Sequence, residues 1–185
     1  ISQFVFNDKT VVYNGLEFYL EATNLPDGVS VSYENNGKIQ SDTYTVIAKF
    51  VGDVNYNDIP DMTAKLEIKK AQLTVTANDE EVTYGDLAPI YTVTYNGFVN
   101  NETKEVLGGE LSFACKYEKT SNVGNYDIVA SGYTSDNYEI TYVNGSIKVN
   151  QKEVGLTWGE VEFIYSGVNQ VPTATATGLV KINPT

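Results

Sequence analysis

The sequence contains few of the residue types that carry out chemistry near neutral pH. Its 185 residues include no histidine, and its 12 basic residues are all lysine. Histidine is the usual general base and metal ligand at this pH, so Ser-His-Asp, Cys-His and His-ligated metal sites are excluded. Without arginine, the chain also lacks the side chain that binds phosphate or carboxylate through two parallel hydrogen bonds.

The charge of the chain excludes further classes of partner. The 24 acidic residues give a net charge of -12. Nucleic acids are bound mainly by neutralising their phosphates, and anionic membrane surfaces also attract cations, so both would repel this chain. No stretch approaches the ~20 apolar residues that a membrane span needs. We therefore predict no nucleic-acid partner and no membrane insertion.

Carboxylates offer two candidate cation sites, and in both cases a solvated turn is the favoured interpretation. Asp53-Val-Asn-Tyr-Asn-Asp58 has oxygen ligands at alternate positions, as calcium loops do. An EF-hand requires Gly at the sixth place and Glu at the twelfth, where this chain has Asp58 and Ala64. The run Asp79-Glu-Glu81 is the second candidate.

Carboxylate pairs of the glycosidase type arise by chance among so many acids. We predict no enzyme, and no catalytic, cofactor-binding or metal-binding residue.

The single cysteine gives no evidence for chemistry. Cys115 lies in the alternating run Leu111-Ser-Phe-Ala-Cys-Lys-Tyr117, which predicts a small buried core residue. One cysteine cannot form an internal disulfide, so it does not indicate a compartment.

The secondary structure is predicted to be almost wholly strand. Residues alternate between β-branched or aromatic and polar types in several runs. These are Val29–Tyr33, Tyr44–Phe50, Ala64–Lys69, Leu73–Ala77, Ile90–Tyr95, Ile140–Val143 and Ser146–Val149. The two turn residues Asn144 and Gly145 predict a β-hairpin between the last two runs. One short helix is predicted over Asn101–Leu107, with Asn101 as its N-cap and Gly108 as its stop.

Diverged repeats run through the chain. Thr10-Val-Val-Tyr-Asn-Gly15 reappears as Val82-Thr-Tyr-Gly-Asp86 and again as Phe163-Ile-Tyr-Ser-Gly167. Tyr44 precedes Tyr56 by 12 residues, and Tyr126 precedes Tyr138 by the same interval. A shared interval between aromatic anchors predicts a shared strand-turn-strand unit. We therefore predict a first module at residues 1–70, a second at 71–151, and the opening strands of a truncated third at 152–185.

The tyrosines divide into two groups. Those at matched places in the repeats are predicted to be core or corner residues whose hydroxyl groups are hydrogen-bonded; they are Tyr13, Tyr44, Tyr56, Tyr84, Tyr126 and Tyr138. The unmatched ones are freer to be exposed and to contact sugars or proteins; they are Tyr19, Tyr91, Tyr133 and Tyr142.

These motifs resemble a known family. The first module resembles the MBG-type repeat of bacterial adhesins, through Leu25-Pro-Asp-Gly-Val-Ser-Val-Ser-Tyr33, Asp42-Thr-Tyr-Thr-Val-Ile-Ala48 and Gly52-Asp-Val-Asn-Tyr56. The module at residues 71–151 resembles the YGX variety, through Leu73-Thr-Val-Thr-Ala-Asn-Asp79, Tyr84-Gly-Asp86, Gly124-Asn-Tyr-Asp-Ile128 and Gly145-Ser-Ile147. The opening Gly155-Leu-Thr-Trp158 is similar to another start found in these arrays. The family supplies no catalytic or ligand residue to carry over.

The resemblance implies a non-catalytic tandem-repeat segment of a secreted or wall-attached bacterial adhesin. It would act as a stalk and contact host mucin, other glycans, glycoproteins or extracellular matrix. The expected fold is all-β: small antiparallel modules, either immunoglobulin-like sandwiches or β-grasp-like, arranged end to end in a monomeric, extracellular fragment. The predicted helix favours β-grasp for the second module. The alternative function is an accessory or spacer module of a secreted carbohydrate-active enzyme. An intramolecular Lys-Asn isopeptide bond stays open.

Overall fold

A computed structural model describes residues 4–55, 57, 59–159 and 162–178, and its regular structure is almost entirely strand. The predicted all-β class is therefore confirmed. The strands are β1 (Lys9–Val12), β2 (Val29–Glu34), β3 (Asp42–Gly52), β4 (Ile59–Lys69), β5 (Ala71–Ala77), β6 (Glu80–Thr83), β7 (Val93–Asn96), β8 (Gly108–Cys115), β9 (Gly124–Thr134), β10 (Tyr138–Val143), β11 (Gly145–Asn150), β12 (Gly155–Trp158) and β13 (Ala174–Thr177).

The first repeat forms a four-stranded sheet in the order β1-β4-β3-β2. Strand β3 pairs antiparallel with β2 and with β4, as the alternating pattern predicts. Its inward-facing residues Val46, Ala48 and Phe50 are buried. The opening strand β1, in contrast, pairs parallel with the closing strand β4. Parallel pairing needs a long connection, and here the rest of the repeat supplies it.

The second repeat forms the same sheet again, in the order β6-β11-β9-β8. Its opening strand β6 is parallel to its closing strand β11, and β11 is antiparallel to β9. The residue after each opening strand donates its backbone N–H to the end of the closing strand. Tyr13 donates to Lys69 O at 2.8 Å, and Tyr84 donates to Asn150 O at 2.9 Å. The predicted repeat is thus a repeat of three-dimensional structure, with two parallel pairings that the sequence does not predict.

Each repeat also contains a tyrosine corner, in which a tyrosine hydroxyl bonds to the backbone a few residues upstream. Tyr44 Oη donates to Gln40 O at 3.0 Å, and Tyr126 Oη donates to Asn122 O at 2.9 Å. Tyr44 lies near the start of β3, and Tyr126 lies near the start of β9. These two matched tyrosines are corner residues, as the sequence predicts.

The predicted hairpin at Asn144 and Gly145 is wrong. Strand β10 belongs to a three-stranded sheet in the order β10-β5-β7, whereas β11 pairs with β6 and β9. A two-residue type I′ hairpin needs a positive φ at both turn residues, and neither Asn144 nor Gly145 has one. Glycine is required here for close packing instead, since a Cβ on Gly145 would lie 2.5 Å from Ala77 O.

The predicted helix over Asn101–Leu107 is also wrong. Only a single 3-10 turn forms, over Lys104–Val106, with Thr103 as its N-cap. Asn101 has φ of 58°, whereas an N-cap residue adopts extended backbone. Without that helix, nothing in residues 101–107 favours a β-grasp second module. Among the residues that the structure describes, no helix is long and apolar enough to span a bilayer.

The chain divides into two compact units. The first comprises Ile1–Val75, Tyr95–Leu111 and Ser131–Tyr142, and the second comprises Thr76–Thr94, Ser112–Ala130 and Val143–Thr185. In the first unit the buried apolar residues include Val46, Leu66, Ile68, Leu73 and Tyr138; in the second they include Ala77, Tyr117, Ile128, Ile147 and Val149. The module boundaries at residues 70 and 151 stay a prediction.

The segment after residue 151 forms only a two-stranded antiparallel ladder of β12 and β13. Every residue of both strands is exposed, including Leu156 and Trp158. Residues 160–161 and 179–185 of the predicted third module lie outside the described residues.

The two tyrosine corners should contribute equally to the free energy of unfolding if the repeats are equivalent. We expect Tyr44→Phe and Tyr126→Phe each to lower the free energy of unfolding by about 1 kcal/mol, because each removes one intramolecular hydrogen bond. Urea unfolding followed by far-UV circular dichroism measures both. A loss at one corner and none at the other would contradict the equivalence.

Candidate functional site: a tyrosine-carboxylate joint

A group of directed polar contacts joins the first repeat to the second. We call Tyr13, Glu102 and Tyr138 the joint cluster. Tyr13 directly follows β1, Tyr138 begins β10, and Glu102 lies in the turn before the 3-10 segment. All three belong to the first compact unit.

One carboxylate binds both hydroxyl groups of the joint cluster. Tyr13 Oη donates to Glu102 Oε1 at 2.6 Å, and Tyr138 Oη donates to Glu102 Oε2. The two rings pack edge to face with centroids 5.6 Å apart, a favoured geometry for aromatic pairs. Tyr138 Oη also accepts the backbone N–H of Val99 at 3.1 Å. Both oxygens of Glu102 are thus bonded, and Tyr138 Oη serves as donor and acceptor.

Burial and charge make the phenolic groups of the joint cluster weak acids. Tyr13 and Tyr138 are buried, with 4% and 2% of their surface exposed. Burial, followed by the hydrogen bond to Glu102, raises the pKa of Tyr138 to about 12. The same causes raise the pKa of Tyr13 further above its ordinary value of 10.0. Both hydroxyl groups therefore remain protonated donors across the physiological pH range.

A second set of bonds converges on Asn137, beside the joint cluster. The Asn137 side chain accepts the N–H of Ser41 at 2.9 Å and donates to Gln40 Oε1 at 2.6 Å. Its backbone carbonyl accepts the N–H of Ala71 at 2.9 Å. One asparagine therefore bonds to the first repeat and to the first residue of β5.

Close backbone approach completes the joint. Asn100 Nδ2 donates to Gly15 O at 3.2 Å, and a Cβ on Gly15 would lie 2.6 Å from the Asn100 Cβ. Gly15 also has φ of +75°, so a side chain is disfavoured there twice over. The Lys70 ammonium donates to Ser135 O at 2.8 Å. The tight turn after Tyr13 thus lets the first repeat pack directly on the loop around residue 100.

Three of the four unmatched tyrosines are fixed by internal contacts rather than free. Tyr95 Oη and Tyr133 Oη lie 2.8 Å apart, and Tyr142 Oη accepts the N–H of Tyr133 at 2.7 Å. Burial, followed by its contact with the Cys115 thiol, raises the pKa of Tyr91 to about 12. Exposure is therefore the wrong expectation for Tyr91, Tyr133 and Tyr142, which are half-buried.

Tyr19 is exposed, as expected for an unmatched tyrosine, and lines an open groove of about 590 Å³. Its hydroxyl donates to Glu17, which raises the Tyr19 pKa. A Cβ on Gly37 would lie 2.9 Å from Tyr19 Cε1, so the glycine allows the ring to lie against the backbone. The neighbouring segment is held by Asn36, whose side chain bonds to both the N–H and the carbonyl of Leu20.

The two predicted acidic segments take part in local contacts. Asp79 accepts the N–H and the hydroxyl of Ser146, and Glu81 pairs with Lys148 at 3.0 Å. The hydrogen bond and charge of Lys148 lower the pKa of Glu81. Asp53 caps a turn by accepting the N–H of Asn55. Tyr56 and Asp58 of that candidate loop lie outside the described residues. Within the described part of the chain, no three acidic or cysteine side chains are grouped to hold a metal ion.

Cys115 is not the buried core residue predicted from the sequence. It is half-buried and lines a shallow groove of about 410 Å³ with Tyr126 and Asp127. It stands at the last position of β8, the edge strand of its sheet, where only one side of the strand is paired.

Sequence reasoning missed Glu102, the centre of the joint. It lies inside the predicted helix, where an acidic residue near the N-terminus needs no other explanation. The recurring Asn-Tyr pair at Asn137–Tyr138 is visible in the sequence, and the structure shows that both residues bond to or contact the first repeat. The matched positions Tyr13 and Tyr138 are core residues, as predicted.

Residues 73–148 match the family described as MBG domain (YGX type). The predicted resemblance of the second module to that family is therefore confirmed. No curated protein sequence matches the chain.

Three solved structures show a distant likeness. Fibronectin(III)-like modules of Clostridium thermocellum CbhA share 13% identity over 80% of this chain and 95% of theirs, with a TM-score of 0.29. Bacteroides ovatus SGBP-B, solved with a mixed-linkage heptasaccharide, shares 11% over 96% of this chain and 58% of its own, with a TM-score of 0.27. Drosophila N-cadherin EC1-3 shares 13% identity over 77% of this chain and 63% of its own, with a TM-score of 0.27. Likeness this weak supports no inference about function.

The joint should weaken in alkali. A tyrosine whose pKa is raised on folding contributes stability that is fully present below pH 10, the ordinary pKa. That contribution is lost as the pH rises through about 12, the pKa of folded Tyr138. We expect the urea midpoint to fall steeply between pH 10 and 12, together with a rise in tyrosinate absorbance near 295 nm. Tyr138→Phe should flatten that fall, and an equally steep fall in the variant would contradict the assignment.

Proposed function

We propose that this chain, whose residues 73–148 match the MBG domain (YGX type), is a non-catalytic tandem-repeat segment of a bacterial adhesin. The protein would be secreted or attached to the cell wall, and this segment would serve as part of its stalk. A stalk must hold its binding end away from the cell surface, which requires consecutive repeats to be joined without a flexible linker.

The joint cluster is the observation that carries this proposal. Strand β4 ends at Lys69 and β5 begins at Ala71. A single residue therefore separates the closing strand of the first repeat from β5, the strand that precedes the opening strand β6 of the second repeat. The Glu102 carboxylate and the Asn137 amide then bond to the first repeat on either side of that connection. Short linkage with directed bonds favours a stiff joint, because bending would leave buried hydroxyl groups unpaired.

Composition supports a stalk rather than a catalyst. A chain without histidine has no ordinary general base at neutral pH. A net charge of -12 makes neighbouring copies repel one another, which keeps an exposed surface protein soluble. The accessory module of a carbohydrate-active enzyme is the alternative, and the sequence flanking this chain in its gene separates the two: further repeats and a wall anchor, or a catalytic domain.

The Tyr19 groove favours a second role, direct contact with a glycan. Tyr19 presents a half-exposed ring held by Glu17 and Gly37, with Asp8 and Glu21 on the same groove. A fixed aromatic ring beside carboxylates suits the apolar face and the hydroxyl groups of a sugar. Among the residues that the structure describes, the groove carries three acids, Asp8, Glu17 and Glu21, against one base, Lys9. This negative balance would repel sialylated or sulfated glycans, so the ligand we propose is a neutral glycan.

Stiffness of the joint can be measured by spin labelling. We expect labels at Ser32→Cys and Thr141→Cys, in a Cys115→Ser chain, to give one narrow distance distribution by double electron-electron resonance. Glu102→Ala should broaden it, because the carboxylate no longer bonds Tyr13 and Tyr138. A broad distribution in the chain that retains Glu102 would contradict the stalk proposal.

Glycan contact can be measured on arrays and on mucin-coated surfaces. We expect binding to neutral glycans that falls at least ~10-fold in Tyr19→Ala, as for loss of a ring contact of about 1.4 kcal/mol. Tyr165→Ala is the matched control, since Tyr165 is 93% exposed and lies outside the groove. Equal binding by both variants would show that glycans bind elsewhere than this groove. If the unaltered chain bound no glycan, the glycan role would be wrong and the segment would serve only as a spacer.

A further inference from the structure

The second repeat presents at Tyr84 a copy of the face that the first repeat presents at Tyr13. Tyr13 and Tyr84 each donate their backbone N–H to the last residue of their own closing strand, Lys69 and Asn150. The connection Lys70–Ala71 therefore corresponds to Gln151–Lys152.

The tyrosine corners extend this correspondence. Tyr44 bonds to Gln40 O and Tyr126 bonds to Asn122 O, four residues upstream in both cases. Gln40 and Ser41 therefore correspond to Asn122 and Val123. In the first repeat these two positions bond to Asn137 of the second.

The two faces differ in what covers them. In the first repeat Tyr13 and Ala71 are buried, each 4% exposed. In the second repeat Tyr84 is half-buried, Lys152 is exposed and Val123 is 50% exposed. Tyr13 Oη bonds to Glu102, whereas Tyr84 Oη has no hydrogen-bond partner within the part of the chain that the structure describes.

The uncovered face forms an open groove of about 450 Å³. Its lining comprises Tyr84, Asn122, Val123, Gln151, Lys152, Val154 and Gly178. Five of these residues belong to positions whose counterparts form the joint in the first repeat or adjoin it. The groove is thus the counterpart of the first joint, but no residue equivalent to Glu102 or Asn137 bonds to it within the described part of the chain.

We propose that this groove is the docking face for a further repeat of the same kind, which presents a carboxylate to Tyr84 Oη and an asparagine amide to Asn122 and Val123. The proposal rests on the stalk function proposed above and specifies its assembly: each repeat uses its opening tyrosine to bind the repeat that follows. Strand β12 begins three residues after Lys152, so the connecting chain already leads from this face.

The partner is a repeat whose loops are free, rather than a second copy of this chain. In a second copy both oxygens of Glu102 are bonded to its own Tyr13 and Tyr138. Its Asn137 amide is likewise bonded to its own Ser41 and Gln40. The chain has Ala71 in the first joint and Lys152 at the corresponding place in the second repeat, so the second face carries a positive charge that favours an acidic partner loop.

A three-repeat chain tests this directly. Residues 153–185 are replaced by a second copy of residues 72–151, which keeps Lys152. The copy brings to the groove an Asn137 amide and a Glu102 whose Oε1 is free, because the copy lacks the Tyr13 that binds this oxygen in the first joint. We expect the added copy to fold. In that chain Tyr84→Phe should increase the unfolded-to-folded ratio of the added copy by about 10-fold or more, the effect of losing a hydrogen bond to a carboxylate.

Two controls decide the outcome. Tyr84→Phe in the unextended chain should leave its stability unchanged, because no partner of the hydroxyl is lost. Tyr13→Phe should weaken the first joint in both chains. An added copy that stays unfolded, or one whose stability does not depend on Tyr84, would overturn the docking face. Either result leaves the stalk proposal intact, because the spin-label distances across the first joint test that proposal separately.

Discussion

A single carboxylate that accepts two buried hydroxyl groups holds the first compact unit together at the joint. Glu102 bonds to Tyr13 from the first repeat and to Tyr138 from the second, and a ring contact joins the two tyrosines. A carboxylate is costly to remove from water unless both oxygens are bonded, and here both are. The arrangement therefore specifies one relative placement of the residues around it, which a purely apolar contact would leave less defined.

Repetition explains why the joint lies where it does. Each repeat pairs its opening strand parallel to its closing strand, so the residue after the opening strand lies beside the start of the connection to the next repeat. A tyrosine at that position can serve its own sheet through its backbone and the neighbouring repeat through its side chain. The corner tyrosines Tyr44 and Tyr126 stabilise only their own repeat, because their hydroxyl groups bond to backbone carbonyls four residues upstream.

Local patterns predicted what depends on local physics. Alternation placed β2, β3, β4, β5, β10 and β11 within a few residues, and recurring motifs revealed the repeat. The hairpin prediction was wrong because an Asn-Gly pair does not indicate that the chain passes from one sheet to another at Gly145. The helix prediction was wrong because Asn100 and Asn101 adopt positive φ. Glu102 could not be predicted, since its partners lie 89 and 36 residues away in sequence. The signal that came nearest was the repeated Asn-Tyr pair.

The most direct test of the joint is a double-mutant cycle between Tyr13→Phe and Glu102→Gln, measured by urea unfolding at neutral pH. If the hydroxyl and the carboxylate interact as described, the two losses should not add: a coupling free energy of about 1 to 2 kcal/mol is expected for a hydrogen bond to a charged group. Additive losses within about 0.3 kcal/mol would show that the two side chains act independently. That result would contradict a joint built on Glu102.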